Sequence, residues 1–141
     1  MTLEKAIQIA SEAHHNQYDK VGRPYITHAF RVMEKGKNET EKICGMLHDV
    51  VEDSEWTLEQ LASEGFSAEV IDILERLTHP PGEPYEEYLG RILTHPVAIR
   101  VKINDLEDNM DIRRLTYITE NDTRRLNKYL SAYRLLTETL S

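Results

Sequence analysis

The chain has 141 residues, 40% hydrophobic and 30% charged, with a formal net charge of −8, the size and composition of one globular domain with a sizeable core. The acidic balance excludes the basic footprint of non-specific nucleic-acid binding, and no apolar run approaches the roughly 20 residues that cross a bilayer. The N-terminus lacks the basic start and apolar core of a signal peptide, and Cys44 is the only cysteine, so the expected setting is the reducing cytoplasm, without nucleic acid or membrane as partner.

Apolar spacing is helical nearly throughout. Leu3, Ala6, Ile7, Ala10 and Ala13 give a first amphipathic helix, followed by a polar loop from Asn16 to Pro24. A second helix runs from about Tyr25 to Lys35 and stops at Gly36, and a third from about Glu39 to Val51 carries Cys44 as a core residue. Thr57-Leu-Glu-Gln60 is a capping-box pattern that starts a short helix ending at Gly65. Ser67 caps the next, with Val70, Ile71, Leu74 and Leu77 as its buried stripe, and His79-Pro80-Pro81-Gly82 breaks the chain. Further helices span Pro84 to Leu93 and Pro96 to about Met110. The last runs from about Asn121, with Leu126, Tyr129, Leu130, Tyr133 and Leu136 inward. With no alternating strand pattern and no repeat or linker, the sequence predicts an all-α, single compact domain over residues 1–141.

Chemistry concentrates at His48-Asp49-Val50-Val51-Glu52-Asp53, where ionisable groups interrupt the apolar segment Ile43 to Val51. An adjacent His and Asp form a mixed N/O pair that divalent metals accept. On a continuous helix Glu52 falls one turn after His48, and Asp53 one turn after Asp49. Two other segments offer ligands: His28 opens the second helix, and Asp105 follows the Val101-Lys-Ile run with Asn109 one turn later. His28, His48, Asp49 and Asp105 make a His₂Asp₂ set that would leave open positions on an octahedral ion. Each also has a structural reading. The histidines could cap or pack, Asp49 and Asp105 could pair in ion pairs, and Glu52 and Asp53 could end a solvated helix. Spacing leaves both readings open.

Taken together these motifs resemble the HD-domain metal-dependent phosphohydrolases, and within them the hydrolase domain of the RelA/SpoT enzymes and the small alarmone hydrolases. The resemblance covers nearly the whole chain. It rests on Gln17-Tyr-Asp-Lys20-Val-Gly22-Arg-Pro24-Tyr25-Ile-Thr-His28, on the HDxxED match at His48 to Asp53, and on Val101-Lys102-Ile-Asn-Asp105 through Asn109-Met110. It implies a compact helical HD fold, with His28, His48, Asp49 and Asp105 as metal ligands and manganese as the usual ion. It implies that Glu52 and Asp53 activate and orient the attacking water, and that Lys20 and Asn109 contact a small-molecule nucleotide. The implied reaction removes the 3′-pyrophosphate of guanosine tetra- or pentaphosphate (ppGpp or pppGpp).

Two departures limit the substrate assignment. Asp19 stands where many alarmone hydrolases have an Arg against the guanine. Leu106 follows Asp105 where Arg is common, and Asp111 lies two residues after Asn109 where another Arg often follows. The alternatives are hydrolysis of another nucleotide or phosphoester, or a catalytically silent nucleotide-binding helical module, which would not need both Glu52 and Asp53. Tyr85, Tyr88 and Arg91 form either a lid or an ordinary helix face. His79 and His95 read as loop residues beside prolines, and the oligomeric state is left open.

Overall fold

The computed structural model describes residues 2–140. Its helices are α1 (Leu3–Ala13), α2 (Ile26–Lys35), α3 (Glu39–Leu47), α4 (Val50–Asp53), α5 (Leu58–Ser63), α6 (Ala68–Leu77), α7 (Tyr85–Ile92), α8 (Pro96–Asn109) and α9 (Glu120–Leu140). A 3₁₀ turn, Ile112–Arg114, separates the last two. Among the described residues the one extended pairing is a bridge between Tyr18 and Pro24, and no helix is long and apolar enough to cross a membrane. The all-α expectation holds.

Local chemistry sets the helix starts. Thr57 and Gln60 form the capping box in full, Thr57 Oγ1 accepting from the Gln60 N–H at 3.1 Å and Gln60 Oε1 from the Thr57 N–H at 3.0 Å. Ser67 Oγ accepts from Val70 N–H and opens α6. Pro96 occupies the first turn of α8, where its missing N–H costs no bond. His95, expected in a plain loop, caps that helix by accepting the Val97 N–H on Nδ1.

The core gathers around α2, α3 and α8. Ala29 and Val32, Ile43, Cys44, Met46 and Leu47, and Ala98, Ile99, Val101 and Leu106 are buried there, roofed by Ile73 and Leu74 of α6. Gly45 permits the closest approach. A Cβ at that position would lie 3.2 Å from both Cα and N of Met33, so a side chain there would push the α2 and α3 backbones apart by a few tenths of an ångström, and glycine lets them rest in close contact.

Two expectations need correction. The third predicted helix is not continuous: α3 ends at Leu47, Asp49 adopts φ −107° and ψ 0°, and α4 is a separate turn. Asp53 N–H still reaches Asp49 O at 3.0 Å, so the second predicted one-turn relation persists through a break that the first spans. The break follows from the His48 ring, whose Nδ1–H donates to Gly45 O at 2.6 Å and turns the chain back on α3. On α9 Leu130 is 44% exposed rather than inward, while Leu136 is buried as expected and is joined by Ala132. Of the two readings of the Tyr85, Tyr88 and Arg91 face, Tyr88 takes the packed one: it is buried and its Oη donates to Leu77 O.

Candidate metal centre

Four of the predicted residues converge. His28 comes from the first turn of α2, His48 and Asp49 from the break between α3 and α4, and Asp105 from α8. One ligand atom from each lies within 4.8 Å of all the others. Asp105 Oδ1 is 2.9 Å from His28 Nε2 and 3.1 Å from His48 Nε2, and Asp49 Oδ2 is 3.0 Å from His48 Nε2 and 3.9 Å from His28 Nε2. His28, His48 and Asp105 are buried and Asp49 half-buried.

The surrounding bonds decide what this cluster lacks. Both imidazoles spend their Nδ1 protons outwards, His28 on Asp108 Oδ2 at 2.6 Å and His48 on Gly45 O. Burial opposes charging of either ring, yet Asp105 and Asp108 raise His28, and Asp49 and Asp105 raise His48 well above its usual value, so the two carboxylates call for positive charge at the Nε2 positions, charge that a divalent cation would supply in place of those protons. The carboxylates stay ionised. Burial opposes ionisation of Asp105, but Lys102, with Nζ 2.9 Å from Oδ2, and His48 hold it well below the usual range. Asp49 is likewise held at about 2 against burial, chiefly by His48. Two nitrogens and two carboxylates at this spacing fit a divalent cation of the borderline-to-hard kind.

Sequence reasoning passed over the residues that aim these ligands. Asp108 is 4% exposed, and Arg31 grips it, Nε to Oδ1 at 2.6 Å and Nη2 to Oδ2 at 3.1 Å. Arg114 Nη2 donates to the Asp108 carbonyl at 2.8 Å. A carboxylate behind a ligating histidine fixes its tautomer and ring angle. Tyr25 Oη donates to Asp49 Oδ2 and orients that carboxylate. Asp108 could have been found one turn from Asp105 and Ile112, but in Asp105-Leu-Glu-Asp-Asn109 it reads as a solvated face.

Glu52 and Asp53 sit on α4, solvent-facing and directly after Asp49. Loss of water around their carboxyls raises both, Asp53 to about 6, with the Asp49 charge adding to each rise. Glu52 Oε1 accepts the His79 N–H at 2.5 Å, so His79, read from sequence as a loop residue, contributes a backbone donor.

Beside the centre lies a cavity of about 380 Å³. Tyr25 and Asn109 line it on the inner side, each bonded to a cluster carboxylate; Asn109 Nδ2 reaches Asp105 Oδ1 at 3.1 Å. Lys20, Arg114 and Arg125 bring positive charge to its wall. Lys20 is not at the centre itself: its Nζ is 3.8 Å from Asp122, which also pairs with Arg125 at 2.7 Å. Asp19 and Asp111 line the same cavity. Asp19 Oδ1 accepts the N–H groups of Val21 and Arg23 at 3.0 and 2.9 Å, so the departure from Arg closes the loop as an Asx turn. Leu106, the second departure, is fully buried in the core.

The helical fold and its buried His/Asp centre define an HD-type domain. The chain is 31% identical over 77% of its length to a probable GTP pyrophosphokinase of Mycobacterium leprae. It is 29% identical over 77% to a guanosine-3′,5′-bis(diphosphate) 3′-pyrophosphohydrolase of Aquifex aeolicus, and 30% identical over 99% to one of Borreliella burgdorferi. It spans only 15%, 17% and 23% of those relatives' own lengths. A solved metazoan orthologue of SpoT, described as hydrolysing ppGpp, shares the fold with TM-score 0.76 at 20% identity, over 98% of this chain and 84% of that one. No family model matches. The chain is similar over most of its length to one segment of these RelA/SpoT-type proteins and shares the fold of the SpoT orthologue.

Proposed function

We propose that this chain, as one HD domain over residues 1–141, is a metal-dependent nucleotide pyrophosphohydrolase that removes the 3′-pyrophosphate of ppGpp or pppGpp. The observation that carries this reading is the convergence of His28, His48, Asp49 and Asp105 next to two raised carboxyls and a cation-lined cavity. The relatives named as 3′-pyrophosphohydrolases supply the substrate.

His28, His48, Asp49 and Asp105 would hold one divalent cation, with Mn²⁺ the expected ion. Such a cation supplies a lowered water pKa and charge neutralisation at phosphoryl oxygens. Glu52 or Asp53 takes the proton of the attacking water, a task suited to carboxyls raised toward neutrality. The water oxygen bonds to the phosphorus nearest the ribose, the bond from that phosphorus to the 3′ oxygen breaks, and the 3′ oxygen leaves as a hydroxyl after gaining a proton. Lys20 and Arg125 face the substrate phosphates and offset charge that grows on them. Asn109 orients the nucleotide beside Asp105. The proposed setting is the cytoplasm, where Cys44 stays reduced.

A second reading, an HD phosphohydrolase of another nucleotide, is favoured by Asp19 and Asp111 on the cavity wall. A nucleotide panel with Mn²⁺ separates the two. The first reading expects pyrophosphate from ppGpp and pppGpp, and little turnover of GTP or ATP. Persistence of ppGpp while another nucleotide loses phosphate overturns it.

A further inference from the structure

Glu52 stands on a helix of four residues whose N-cap, Asp49, makes no side-chain capping bond. A single turn fixes its own side chains poorly. The His79 N–H that holds Glu52 comes from 27 residues away, in the segment 78–84 that joins α6 to α7 and contains Pro80, Pro81 and a left-handed Gly82 at φ +86°.

That segment is gripped by one side chain. Arg91 of α7 donates Nε to Glu83 Oε2 at 3.0 Å and Nη2 to Glu83 Oε1 at 2.7 Å. Its Nη2 also reaches Thr78 O, and its Nη1 reaches Glu75 O, both at 3.0 Å. Thr78 and Glu83 bracket His79, so the guanidinium clasps both ends of the irregular stretch. The His79 ring completes the closure, stacking on Tyr88 at 4.5 Å and 16° while Nε2–H donates to Glu83 O at 2.6 Å. A forked Arg–carboxylate pair resists rotation in a way that a lysine cannot copy.

We propose that Arg91 and Glu83 are positioning residues for Glu52: they fix the loop that carries the His79 N–H, and this N–H aims the Glu52 carboxylate. The inference rests on the proposed function in taking Glu52 as a water-handling group. The competing role for Arg91 is purely structural, closing the carbonyls at the end of α6. Glu83 separates the two, because Glu83→Gln weakens the loop grip and leaves the Arg91 bonds to Glu75 and Thr78 in place.

The test uses the full chain with Mn²⁺ and ppGpp, measuring kcat, KM, melting temperature, bound Mn²⁺ and hydrogen exchange at the His79 amide in Arg91→Lys, Glu83→Gln, Glu52→Gln and the double variants. A misaimed carboxylate should lower kcat about tenfold, leave KM and bound Mn²⁺ unchanged, and speed His79 exchange in both loop variants. In the Glu52→Gln background, Arg91→Lys and Glu83→Gln should leave the residual kcat unchanged. If they lower it there as much as in the parent, the role is structural and the inference fails. Wild-type kcat in both loop variants with Glu52→Gln inactive overturns the inference alone. Wild-type turnover in Glu52→Gln removes Glu52 from the mechanism, and the inference with it.

Discussion

Asp108 Oδ2 accepts the Nδ1 proton of His28 at 2.6 Å, joining α8 to α2 through a buried bond between residues 80 apart in sequence. Arg31 fixes the same carboxylate from the other side, so His28 can rotate only by giving up its bond to a carboxylate that is itself held in place. Asp108→Asn keeps the shape and weakens this hold. Metal titration of the purified variant should show affinity reduced about 10–100-fold, with activity restored at high metal. Unchanged affinity would remove Asp108 from the support of the centre.

The Asp19 turn should act on substrate capture rather than on chemistry. Asp19→Asn keeps the Oδ1 acceptor for Val21 and Arg23 N–H and should bind nucleotide nearly as the parent does. Asp19→Ala loses both bonds, each worth about 1 kcal/mol, and should raise KM several-fold with kcat unchanged. Steady-state kinetics on the two variants checks this; an equal KM for both contradicts it.

A second buried pair ties the entrance of α3 to α8. Glu41 is 2% exposed and accepts Arg100 Nε at 2.7 Å and the Lys37 N–H at 3.2 Å. Arg100→Ala leaves that carboxylate buried without its cation and should cost about 3 kcal/mol, whereas Glu41→Gln, which removes the charge, should cost nearer 1 kcal/mol. Urea unfolding midpoints give the order, and the reverse order would contradict the pairing.

Cys44 makes alkaline stability testable. Burial pushes its thiol up to about 12, with the Glu69 and Glu41 charges adding to the rise. Above about pH 9 the unfolded thiol ionises while the folded one keeps its proton, so the native state binds more protons and stability falls with rising pH. The loss is roughly 2 kcal/mol by about pH 10.5. Cys44→Ala should flatten the stability profile over that range, and native Cys44 should resist iodoacetamide at pH 8. A parallel profile in the variant would contradict the assignment.

The sequence carried the helices because apolar residues recur with helical period, and because Thr57, Ser67 and Pro96 mark their starts with side-chain chemistry. The four candidate ligands were visible through their residue types and motif order. The break at His48-Asp49 was not, since Ile43 to Val51 is apolar enough for one continuous helix and only the His48–Gly45 bond interrupts it. Asp108 hid in a charged run. His79 was read as a loop residue because what it offers Glu52 is a backbone N–H, which every residue but proline carries. Leu130 failed as a core position because α9 meets the rest of the fold along a narrower stripe than its apolar spacing suggests.

Release of pyrophosphate from ppGpp by chelator-stripped protein, followed as Mn²⁺ is returned, tests the central claim most directly. The account predicts no turnover without metal, recovery that saturates at one ion per chain, and no recovery in His48→Ala or Asp49→Ala. Turnover by the stripped protein, or full activity in either variant, would contradict it.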